Sequence, residues 1–114
     1  MKIPIFLSYP KPYLQQQQDF LKKLTKLLEK NNIYPITLGV TDYDMNVPLI
    51  AIRRLLSVSY GMLVVAFRRG QIIEGITNPN SDIGRTSRDL SNTWITSSYC
   101  QIEPAMAFQI GLPI

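Results

Sequence analysis

The sequence contains no histidine and a single cysteine, Cys100. The first absence removes Ser-His-Asp and Cys-His catalysis, and every His-ligated metal, from the chemistry open to this chain. The second removes an internal disulfide and a cysteine-rich zinc site, so no metal is expected. A lone thiol with no disulfide suits a reducing compartment. With no histidine beside it to activate it, Cys100 reads first as a small buried hydrophobe.

Long hydrophobic runs are also missing. Ile3 to Leu7 is broken at once by Ser8-Tyr9-Pro10, too early for a signal peptide, and nothing approaches a membrane-spanning length. The expectation is a cytoplasmic chain with no membrane partner. Charged runs are lacking too. Twelve basic and 8 acidic residues give +4, scattered in pairs such as Lys22-Lys23, Arg53-Arg54 and Arg68-Arg69. Nucleic acid is therefore not an expected partner, whereas small phosphate-bearing anions are compatible with the charge. What remains is an ordinary globular composition, 46% apolar and 18% charged over 114 residues, enough for one domain with a core.

Apolar periodicity divides the chain. Ile3 to Tyr9 reads as a buried strand ended by Pro10-Lys11-Pro12. From about Tyr13 to Lys30, Phe20, Leu21, Leu24, Leu27 and Leu28 form a helical stripe with lysines opposite, Gln15 to Gln18 serving as its exposed opening. Asn31-Asn32 ends that helix. Ile33 to Leu38 is a second strand closed by Gly39, and Asn46 and Pro48 open a second helix carrying Leu49, Ile52, Leu55 and Leu56. Met62 to Phe67 is a continuous apolar run, as in a parallel strand covered on both faces. Residues 68–93 are polar and turn-rich and read as one long loop.

Ser98 to Gln101 has capping-box spacing and predicts a helix start just before Glu103. On that helix Tyr99, Glu103 and Ala107 share a face, beside an apolar stripe of Ile102, Met106 and Ile110. Pro104 predicts a distorted turn at Glu103. Gly111 ends the helix, and Leu112-Pro113-Ile114 resembles a strand cut short.

The order β-α-β-α-β-loop-α predicts a three-layer α/β fold, a mostly parallel sheet with helices on both faces (flavodoxin-like), cut short after the third helix. Ligands of such sheets gather beyond the carboxyl ends of the strands. Those ends are Ser8-Tyr9, Leu38-Gly39-Val40 and Phe67-Arg68, and the helix holding Glu103 begins on the same side. Glu103 is the one carboxylate in surroundings that are otherwise apolar, small or aromatic. It reads either as a boundary glutamate or as a group with a task.

Ile5-Phe6-Leu7-Ser8-Tyr9 resembles the first-strand motif of TIR domains. Trp94, followed by Tyr99-Cys100-Gln101-Ile102-Glu103, is similar to the Trp…Cys-x-x-Glu segment that carries their catalytic glutamate. The tail from Glu103 to Ile114 is also similar to nucleoside 2-deoxyribosyltransferases, a related fold with a glutamate on the equivalent helix. The resemblance covers nearly the whole chain in element order. It implies one TIR-like domain over residues 1–114, the N-terminal part of a longer protein. It further implies an NAD⁺ glycohydrolase of antiphage defence, active on self-association and fused to or paired with a sensor domain for a nucleotide signal.

In that reading Glu103 is catalytic and NAD⁺ is the substrate, with no cofactor. Ser8 and Tyr9 shape the ribose side, Gly39 is a further substrate-binding position, Trp94 or Tyr99 stacks on a base, and Arg68 meets the pyrophosphate. Nicotinamide leaves NAD⁺ as a neutral molecule, so one carboxylate suffices, whereas glycosidases with poor leaving groups need two. Two other readings stay open. One is a nucleoside or nucleotide N-glycosidase or deoxyribosyltransferase, with Asp82 or Asp89 supplying a second acid. The other is a TIR-like interaction module without catalysis.

Overall fold

A computed structural model describes residues 2–37 and 48–114. The central element is β1 (Ile3–Ser8), whose last three residues are buried. It lies between β2 (Ile33–Ile36) and β3 (Met62–Val64), parallel to both, in the order β2-β1-β3. Pro35 is accommodated because β2 is an edge strand in that order, where a missing donor costs little. Helix α1 (Gln15–Lys30) links β1 to β2, α2 (Pro48–Ser57) precedes β3, and α3 (Tyr99–Gln109) closes the chain. Among the described residues this is a small α/β protein with a three-stranded parallel sheet and three helices.

The core forms where α2 and α3 meet the sheet. Phe6, Ile36, Ile52, Leu55, Leu56, Met62 and Ala107 are buried together, with Val64, Met106 and Leu112 packed against them. The apolar spacing of α2 accounts for this, since Ile52, Leu55 and Leu56 recur at helical intervals, although Leu49 is left half exposed. Helix α1 keeps its stripe in part: Leu21, Leu24 and Leu28 are half-buried and its lysines exposed. Phe20 and Leu27, however, are exposed, and its one buried residue is Gln17, from the segment expected to face solvent. The Gln17 amide explains that burial, because it accepts from the Tyr13 N–H at 3.0 Å and donates to the Arg68 carbonyl at 3.4 Å. Asn31 caps α1 and Asn32 turns the chain at φ 60°, as expected.

The largest difference from expectation is the segment after β3. Residues 68–93 are not an open loop. They are most of an antiparallel hairpin, β4 (Gly70–Ile72) with β5 (Thr93–Ile95), extended by a bridge between Ile76 and Asp89. Its turns use Asn78, Asn80, Gly84 and Asn92 at positive φ, a conformation asparagine and glycine reach most readily. The polar composition hid the strands because no residue from Leu63 to Thr96 is fully buried. The molecule is consequently long, 59 × 32 × 27 Å. Its radius of gyration is 17.4 Å, against about 13 Å for a compact chain of this length.

Helix α3 begins where expected, but without the capping box. Ser98 already has helical angles and makes no side-chain cap bond. The Tyr99 N–H instead donates to the Ser97 hydroxyl at 3.2 Å. Pro104 does not break the helix, which runs from Tyr99 to Gln109. It lies in the second turn, where the Cys100 carbonyl loses its helical donor. The final residues begin to pair with β3 through the Met62 N–H and the Pro113 carbonyl, 2.9 Å apart. Among the described residues no helix is long and apolar enough to cross a membrane.

Candidate functional site

Three side chains meet at the carboxyl end of β1. Ser8 is the last residue of that strand and is 2% exposed. Cys100 and Glu103, three residues apart on α3, turn the same face toward it. The Ser8 oxygen lies 3.9 Å from the Cys100 sulfur, and its single O–H is shared between that contact and the Glu103 carboxylate. Glu103 is 7% exposed.

Burial dominates the electrostatics. Withdrawal from water pushes the Glu103 carboxyl up to about 7, and the Ser8 hydrogen bond only partly opposes the rise. The group therefore exchanges its proton near neutrality, in a chain with no histidine to do so. The buried face of α3 is Cys100, Glu103 and Ala107. Tyr99, expected to share it, is 40% exposed.

The remaining predicted residues form a second group. Arg68 lies just before β4 and Trp94 in β5, and the guanidinium sits 4.3 Å from the centre of the indole ring. This is a cation–π pair on a half-exposed tryptophan. Arg68 and Trp94 are thus brought together, with each other as partners. Tyr9 follows Ser8 and is half-buried. Gly39 lies outside the described residues, as do Asn46 and the loop before it. Asp89, offered as a second acid, is fully exposed, and its carboxylate accepts from the Ser91 N–H at 2.9 Å as a turn-former. Asp82 is exposed near the far end of the hairpin.

Two features of the site were not read from the sequence. One is the contact between Ser8 and Cys100, although the three-residue spacing of Cys100 and Glu103 already puts both on one helical face. The other is the buried pair before α3. Ser97 is 6% exposed, and the Thr96 hydroxyl is shielded from solvent without a hydrogen-bond partner. Nothing in the local sequence distinguishes Thr96 from an ordinary strand-end threonine. Among the described residues no cluster of acidic and cysteine side chains could hold a metal ion.

Compared with protein-family models, with curated proteins and with solved structures, the chain matches none. Fold and site together define its class, a small α/β protein that carries, among the described residues, one shielded carboxyl, at the carboxyl end of its central parallel strand.

Proposed function

We propose that the chain cleaves NAD⁺ at the nicotinamide–ribose bond, with Glu103 as the catalytic residue. The observation that carries this reading is a carboxyl 7% exposed beside Ser8 at the strand end, the position where ligands of parallel sheets bind. A carboxylate is costly to bury, and such cost is a mark of functional groups. The similarity of Trp94 and Cys100-Gln101-Ile102-Glu103 to the TIR segment adds to it. In the same reading the sheet is the middle of a three-layer, flavodoxin-like domain.

The chemistry follows from charge. Nicotinamide departs without needing a proton, so the site supplies negative charge to the anomeric carbon as the bond breaks, and a water molecule then adds to that carbon and gives up its proton. Glu103 does so when ionised. The positive pyridinium of the bound substrate favours that form, so binding near neutral pH draws a proton off the carboxyl. The Ser8 hydroxyl orients the carboxylate. Arg68 and Trp94 offer a cation and a ring face to pyrophosphate and base, with Tyr9 and Tyr99 beside the sugar. The activity belongs to a cytoplasmic defence effector that self-associates under a sensor domain.

The exposed apolar surface favours a second reading, a TIR-like interaction module without catalysis. Incubating the protein with NAD⁺ and with a panel of nucleosides, and following released base by chromatography, separates the readings. Nicotinamide release from NAD⁺ alone supports the proposal. Release from nucleosides alone supports a nucleoside glycosidase, and release from neither leaves the interaction module.

A further inference from the structure

Two features of the surface have no part in the chemistry above. The first is the hairpin, an isolated two-stranded ribbon, a form that is marginal in water without a third strand or a packing partner. Its most exposed large residues are Ile73 at 72% and Ile83 at 75%, with Ile76 at 52%. Ile83 lies in the end turn, between the Ser81 hydroxyl that holds the Arg85 N–H and Gly84 at φ 79°. A branched aliphatic residue at the end of a protruding arm gains nothing from water.

The second feature is a groove of about 490 Å³ between α2 and α3, lined by Arg53, Leu56, Ile102, Ala105, Met106 and Ile110 among others. It opens on a different face of α3 from Cys100, Glu103 and Ala107. Its walls are almost entirely apolar, and its charged group is a cation, Arg53. Leu49, four residues before Arg53 on α2, extends the apolar wall and is 49% exposed.

We propose that the arm of one copy docks in the α2–α3 groove of a second copy, and that the exchange is reciprocal. Ile83 enters the groove, and Asp82, its neighbour, meets Arg53. The charge fits, since the acid stands beside the apolar knob and the cation stands in the apolar socket. Apolar surface is exposed on both sides of the seat, at Ile83 on the arm and at Ile102 and Ile110 beside the groove. Reciprocal seats close the assembly at two copies, whereas a one-way seat would propagate into a filament. The inference stands apart from the catalytic reading, since neither Ile83 nor Ala105 touches Glu103's face.

The test is mass by light scattering on the eluting protein, a readout indifferent to the chain's elongated shape. The native chain is expected at twice 13.0 kDa at tens of micromolar. Ile83→Asp and Ala105→Glu, both at exposed positions, are each expected to return it to the single-chain mass with unchanged circular dichroism. Native protein at the single-chain mass overturns the proposal. A pairing of arm with arm is separated by cross-linking a chain carrying Ile83→Cys, mixed with one carrying Ala105→Cys, under mild oxidation. Cross-links between unlike chains support the groove, and cross-links only between two Ile83→Cys chains overturn it. The native Cys100 is buried and does not compete.

Discussion

Replacing Glu103 with glutamine is expected to make the protein more stable above pH 6. In the folded chain the carboxyl titrates at about 7, against 4.5 when exposed. Between those values the folded state binds a proton that the unfolded state has released, so stability falls as pH rises. The group's favourable contribution is whole below about pH 4.5 and is lost by the time pH passes 7. The slope is about 1.4 kcal/mol per pH unit, and the full loss is at most about 3 kcal/mol, reduced by whatever solvent reaches the carboxylate. Glutamine keeps the shape and a hydrogen bond for Ser8 but cannot ionise. The variant should therefore lie closest to the native chain at pH 5 and exceed it most at pH 8. At about 4 °C per kcal/mol for a chain of this size, the gap reaches up to about 10 °C in Tm. Urea and thermal unfolding at pH 5, 6, 7 and 8, followed by circular dichroism, measure it. With no histidine in the chain, no other side-chain type ordinarily titrates in that window. Native and variant stabilities that run parallel from pH 5 to 8 would refute the reasoning.

Other outcomes follow from the same geometry. Ser8→Ala removes the hydrogen bond that restrains the carboxyl, so carbon-13 NMR of labelled glutamate should show Glu103 titrating above its native midpoint, and an unchanged midpoint would disconnect the two groups. Ala107→Leu forces a larger side chain into a position with no exposure and should cost about 1–3 kcal/mol in urea unfolding, whereas a neutral result would show slack where α3 meets the sheet. Trp94→Ala removes the ring under Arg68, worth about 0.5–1 kcal/mol. Hydrogen exchange in β4 and β5 should quicken while global unfolding hardly moves, and unchanged exchange would show that the stack does not hold the hairpin.

The sheet was readable because β1 and β3 lie in apolar runs and α2 keeps strict helical spacing, although β3 takes up only Met62–Val64 of the run expected to reach Phe67, where Ala66 is exposed. Each of those signals reports burial, and burial is what shapes them. The hairpin escaped for the converse reason. Its strands are exposed, so their composition follows solvent and turn chemistry, and only asparagine and glycine at the bends betrayed them. Gln17 escaped because its burial is set not only by the nearby Tyr13 N–H but by the Arg68 carbonyl, which arrives from a distant part of the chain. At the site, Glu103 and Ser8 were legible from the rule that ligands meet the carboxyl ends of parallel strands. The pairing of Arg68 with Trp94 was not, because it depends on the register of β4 with β5.

The most direct test of the account is nicotinamide release from NAD⁺ by the native chain and by Glu103→Gln, measured from pH 5 to 9. The account predicts a native rate that rises with pH to a plateau, its midpoint at or below about 7 because the cationic substrate favours the ionised carboxyl, and no release above background from the variant. Equal rates from both proteins would contradict it.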